Sequence, residues 1–101
     1  MRPAEMRRLA KNASKACDLL GAMASPPRLM ILCQLAEGEK SVGELQPAVG
    51  LSQSALSQHL AVLRRKQVVR TRRDGQLIYY SLASGQAASL METLHEQFCK
   101  R

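Results

Sequence analysis

Residues 41–82 read SVGELQPAVGLSQSALSQHLAVLRRKQVVRTRRDGQLIYYSL, and the change of period inside this stretch decides the fold. Ser41 stands three residues before Glu44, the spacing of a capping box, and Val42, Leu45 and Val49 form a short apolar stripe that Gly50 closes. This predicts a helix of about two turns. Ser52 then caps a longer helix in which Leu56, Leu60 and Leu63 face inward, with Gln53, Ser54, Ser57 and Gln58 on its other faces. From Val68 the period becomes that of strands: Val68 to Arg73 and Gln76 to Leu82 are β-type runs, and Asp74-Gly75 between them is a two-residue type I′ hairpin signal. A short helix, a glycine-containing turn and a polar-faced second helix make a helix-turn-helix, and the basic hairpin makes a wing.

Outward from this stretch the chain is helical. Towards the N-terminus, Met6, Leu9, Ala10, Ala13, Ala16, Cys17 and Leu20 recur at helical spacing opposite Arg7, Arg8, Lys11 and Lys15, and Gly21 is expected to loosen the helix end. Ser25 followed by Pro26 and Pro27 starts a second helix whose expected apolar face is Leu29, Leu32, Cys33 and Ala36, stopped by Gly38. After the wing, Ser84 caps a last helix in which Ala87, Leu90, Met91, Leu94 and Phe98 repeat on one side. The expected fold is mainly α with a β-hairpin wing, ordered α-α-α-α-β-β-α, in one domain over residues 1–101. The first and last helices carry more apolar surface than a core this small covers, so they are expected to pair two copies into a homodimer; packing within one subunit is the competing reading.

Charge points to a polyanionic partner. Lys and Arg outnumber Asp and Glu by 15 to 8, and residues 51–101 hold eight basic against three acidic residues. Arg64, Arg65, Lys66, Arg70, Arg72 and Arg73 follow one another with no acidic residue among them. A solvated charged face reads the same way on charge alone. The longest apolar run, Leu29 to Cys33, is too short to cross a bilayer, and no secretory signal is visible, so a cytoplasmic location with Cys17, Cys33 and Cys99 as thiols is expected.

A helix lying in the major groove points its N-terminal residues at base edges, which makes Gln53, Ser54, Ser57 and Gln58 the candidates for direct readout. A Gln amide can pair bidentately with adenine, and Ser hydroxyls bond bases or phosphates. Arg64 and Arg65 are expected on phosphates, and Arg70, Arg72 and Arg73 on the minor groove or backbone beside that helix. Such contacts release counterions, so double-stranded operator DNA should be bound less tightly as salt rises. His59 is expected to pack rather than bind a ligand, and Cys17 to sit in the core.

VGEL, LSQSALSQHL and the YYSL strand, with helices on both sides, resemble the ArsR family of bacterial winged-helix repressors over nearly the whole chain. The resemblance implies a homodimer that holds operator DNA and releases it on a small inorganic signal. Family members that sense metals on the third helix carry a Cys pair there, which GELQPAVG lacks. On the last helix His95 and Cys99 have the i, i+4 spacing of a metal pair, beside Glu92 and Glu96, but the Asp/His pattern of last-helix sensors is missing. Neither a metal site nor a cofactor is expected, although a metal-responsive repressor remains the near alternative.

Cys33 in LMILCQLAEG and Cys99 in HEQFCKR resemble the thiols of the family's dithiol persulfide-sensing branch. That resemblance implies that persulfide or polysulfide inducers join Cys33 and Cys99 by a sulfur bridge within one subunit and so weaken DNA binding. On position alone Cys33 reads equally as an inert apolar residue. Two readings from other classes stand beside the regulator: a small thiol redox enzyme, for which neither a Cys-x-x-Cys motif nor a βαβ pattern is present, and a nonspecific nucleic-acid-binding protein.

Overall fold

The computed structural model describes residues 1–100. Five helices and a small sheet follow in the order α1 (Pro3–Met23), α2 (Pro26–Ala36), β1 (Lys40–Ser41), α3 (Val42–Val49), α4 (Gln53–Arg65), β2 (Val69–Asp74), β3 (Leu77–Leu82) and α5 (Gly85–Phe98). The helix starts follow the expected side-chain chemistry. Ser25, Ser41, Ser52 and Ser84 each accept, through Oγ, the N–H three residues on, satisfying a donor that the helix leaves open. At Ser41 the box is closed from the other side, because the Glu44 carboxylate accepts the Ser41 N–H at 2.9 Å. Hydrogen bonding from Ser41, its backbone N–H first and its side chain next, holds the Glu44 carboxyl below its ordinary value.

The order differs from α-α-α-α-β-β-α by one strand. β1 is two residues long and pairs antiparallel with β3, Lys40 opposite Tyr80 and Ser41 opposite Tyr79, giving a sheet ordered β1-β3-β2. The wing's turn also lies one residue later than expected. Asp74 pairs with Leu77, so Gly75 and Gln76 make the turn, and only Gly75 has a positive φ, of +63°. A type I′ turn requires positive φ at both central residues, so this turn is not of that type.

α2 crosses the centre of the domain. Ile31, Leu32 and Leu35 are buried, while Leu29 and Cys33 are half-buried and Ala36 is exposed, so the buried face is rotated from the expected one. The reason is that α2 packs against α1, α3, α4, α5 and β3 at once, and a helix enclosed on several sides has no single apolar stripe. Leu45 of α3, Leu56, Leu60 and Leu63 of α4, Val68, Val69, and Ala87 and Met91 of α5 complete the core.

α1 continues through Gly21 to Met23 and turns 97° into α2. Arg28 holds this corner: its Nε donates to the Ala22 carbonyl at 2.6 Å and its Nη2 to the Gly21 carbonyl at 3.4 Å, where the end of a helix leaves acceptors unpaired. Only the last turns of α1 pack on the domain, through Leu19, Ala22 and Met23. The earlier residues project, and the radius of gyration is 14.9 Å, against about 13 Å for a compact chain of this length. Cys17 therefore lies exposed on α1 and not in the core, because the part of α1 that carries it projects beyond the domain's packed residues.

α4 ends in a Schellman arrangement: the Val68 N–H donates to the Leu63 carbonyl and the Gln67 N–H to that of Arg64, both at 2.9 Å. Gln67 takes the left-handed position at φ +60°, where a Cβ costs about 1–2 kcal/mol. Gln67→Gly is expected to raise stability by about 1 kcal/mol, which calorimetry reads as a rise of about 4–8 °C in Tm. An unchanged or lower Tm would mean that the glutamine offsets its backbone cost by a contact elsewhere.

Candidate nucleic-acid interface and thiol pair

The polar side chains assigned to base reading share the exposed start of α4. Gln53 and Ser54 occupy its first turn and Ser57 and Gln58 its second, all exposed, with Leu56, Leu60 and Leu63 anchoring the opposite side. Arg64 and Arg65 lie in its last turn, where cationic side chains complement the partial negative charge of the helix end. With Ser57, Leu60 and Ala61 they border a groove of about 460 Å³ closed by Val42 and by Tyr80 of β3. Tyr80 was not singled out in the sequence, since its place beside α4 follows from the sheet packing against that helix and not from local pattern.

The wing arginines divide between two roles. Strand alternation puts Arg70 and Arg72 on one face and Arg73 on the other. Arg70 and Arg73 are exposed and form no ion pair among the described residues, nor do Arg64 and Arg65. Arg72 is engaged. Its Nε and Nη2 donate to the two carboxylate oxygens of Glu39 at 3.0 and 2.6 Å, and its guanidinium carbon lies 4.6 Å from the centroid of the Tyr79 ring. The hydrogen bond from Arg72 holds the Glu39 carboxyl below its ordinary value.

The two thiols singled out together lie on α2 and at the end of α5, helices that pack on each other. Cys33 is half-buried on α2, and Cys99 is exposed at the C-cap of α5, donating its N–H to the His95 carbonyl at 3.0 Å. Burial pushes the Cys33 thiol up, and the negative charges available at Cys99 and then Glu37 push it further. All three cysteines are free thiols. No three His, Cys, Asp or Glu side chains gather as a metal site among the described residues. His59 is half-buried on α4.

Residues 25–71 match the family profile of the bacterial regulatory proteins of the arsR family. The transcriptional activator HlyU of Vibrio cholerae is 48% identical over 98 residues, which cover 97% of this chain and 91% of that protein. The chain belongs to the arsR family. Solved structures share its winged helix-turn-helix architecture. Reduced HlyU from Vibrio cholerae superposes with a TM-score of 0.87 at 49% identity, over 93% of this chain and 99% of that one. The transcriptional repressor BigR from Xylella fastidiosa gives 0.87 at 42% identity over the full length of both. The homodimeric winged helix-turn-helix domain of Mb0332 from Mycobacterium bovis gives 0.78 at 30% identity, over 89% and 83%. As an arsR-family protein this chain is a regulator of transcription built on a winged helix-turn-helix. Among its described residues no single helix is long and apolar enough to cross a membrane.

Proposed function

We propose that this chain represses transcription as a homodimer on an inverted-repeat operator and leaves the DNA when reactive sulfur species bridge Cys33 to Cys99. The observation that carries the reading is the packing of α2, which bears Cys33, against α5, which Cys99 caps. α4 lies in the major groove, with Gln53, Ser54, Ser57 and Gln58 at base edges and Arg64, Arg65, Arg70 and Arg73 on phosphates. The exposed apolar residues of α1 and α5 form the subunit interface, as befits a relative of a homodimeric domain.

The exposed Cys99 is the attacking thiol and the half-buried Cys33 the second. Each thiolate takes the outer sulfur of a persulfide RSSH and releases RSH. One protein persulfide then attacks the other, expels hydrogen sulfide and leaves a trisulfide, so that the two thiols are oxidised and the persulfides reduced. A plain disulfide requires Cα atoms within about 7 Å, and each added sulfur lengthens the reach by about 2 Å, which favours persulfide over peroxide where the helices stand further apart. Tying α2 to α5 biases the dimer's two reading helices away from half-sites about 34 Å apart.

A metal-responsive repressor would draw on Glu92, His95 and Cys99, of which only the last two share the spacing of a metal pair. A thiol enzyme finds no support in the regulators this chain resembles. Operator binding by fluorescence anisotropy separates these readings. Persulfide treatment is expected to weaken binding by wild type at least 10-fold and to leave Cys33→Ser and Cys99→Ser bound. Release of either Ser variant by persulfide, or release of wild type by metal alone, contradicts the proposal.

A further inference from the structure

We infer that Arg72 does not meet DNA but fixes the angle of the wing, and that Glu39, an acidic residue, is for this reason a positioning residue for operator binding. This rests on the proposed function, in which the wing lies against DNA. β2 is the outer strand of the wing, and β1, its only other support in the sheet, is two residues long and touches β3 alone. Hairpins of two strands are marginal by themselves. Glu39 immediately precedes β1 and reaches across β3 to Arg72, 33 residues away, on the sheet face that also carries Tyr79. One carboxylate, one aromatic ring and one guanidinium thus tie the exposed outer part of β2, whose Val69 end is already held in the core beside α4, to the body of the domain over the top of the middle strand.

Three features separate this brace from an exposed ion pair of no consequence. The pairing is bidentate at 3.0 and 2.6 Å, the geometry that gives Arg–carboxylate pairs their direction. One face of the guanidinium is occupied by the Tyr79 ring. Asp74 adds a second carboxylate 4.0 Å from Nη1, so Arg72 sits among two negative charges to its one positive. Its charge is thus already met by carboxylates, whereas Arg70 and Arg73 offer a phosphate unpaired charge on the same hairpin.

The opposing expectations differ in sign. Removing an acidic side chain from a DNA-binding face tightens binding if it acts only through its charge. If Glu39 holds the wing, Glu39→Gln weakens binding. The test is operator affinity across a salt series, per folded dimer as checked by circular dichroism, for Arg72→Ala, Glu39→Gln, the double variant, Arg70→Ala and Arg73→Ala. Arg72→Ala and Glu39→Gln are expected to weaken binding by a similar factor of about 3–10. The double variant should be no weaker than either single, since residues acting as one unit do not add. Both should leave the salt slope unchanged and shift the amide resonances of Arg73 to Leu77 alike. Arg70→Ala and Arg73→Ala should each lower the slope, by about 1 for every phosphate that is no longer neutralised. Tighter binding by Glu39→Gln, or a lower slope for Arg72→Ala, overturns the brace while the wing's place on DNA stands. Unchanged slopes for Arg70→Ala and Arg73→Ala remove the wing from the DNA and the brace with it.

Discussion

Leu32→Ala is expected to be strongly destabilising, lowering Tm by about 12–24 °C at fixed protein concentration. Leu32 is fully buried on α2, the helix on which α1, α3, α4, α5 and β3 converge. Truncating a fully enclosed leucine costs the lost transfer energy and the cavity left behind, about 3 kcal/mol in the middle of the range for such sites. In a domain of about 100 residues each kcal/mol moves Tm by roughly 4–8 °C. Relaxation is the one escape, and five converging elements leave little room for it. Protein concentration has to be held constant because the proposed pairing of subunits would add its own stabilisation. A loss below about 4 °C in calorimetry would show that the neighbours of α2 close over the space and that the core is less tightly determined than its burial implies.

The double variant Leu9→Asp/Leu20→Asp is expected to be monomeric and to bind operator DNA at least 100-fold more weakly than wild type. Leu9 and Leu20 are 46% and 52% exposed, with Met6 at 53% on the same helix and Phe98 at 80% on α5. Side chains of this size left open on two helices at the ends of the chain represent apolar surface awaiting cover. Aspartates at both positions place uncompensated charge in any such contact while touching none of the buried core. A monomer engages one half-site, and linking two modules ordinarily multiplies affinity by about 10²–10⁴. Sedimentation equilibrium gives the assembly state and anisotropy the affinity. A dimer with unchanged operator affinity would place the subunit contact elsewhere and leave α1 without a role.

Local chemistry was legible where a residue acts on its near neighbours. The four serine caps, the Ser41–Glu44 box, the left-handed Gly50 and the inward leucines of α4 all stand where the spacing puts them. β1 was not, because two residues carry no period and their partners Tyr79 and Tyr80 lie about forty positions on. Gln67 in a glycine conformation left no trace in composition either, since the Schellman bonds around it are made by backbone. The stripe of α1 is apolar as its spacing says, but periodicity does not say whose surface covers it, and so it points to a core position for Cys17 that the fold does not give. Arg72 looks like its basic neighbours in the sequence. Only the fold brings Glu39 to it and sets it apart from Arg70 and Arg73 as a candidate for contact with DNA.

The proposed sulfur chemistry requires Cys33 and Cys99 to come together within one subunit. Intact mass spectrometry with peptide mapping of persulfide-treated protein, denatured under alkylating conditions, tests it directly. The account predicts a subunit heavier by whole sulfur atoms and lighter by two hydrogens, with the peptides of Cys33 and Cys99 joined, Cys17 alkylated, and the reduced mass restored by a thiol reductant. Sulfur added to Cys99 alone, or a bridge that runs through Cys17 or between subunits, would contradict it.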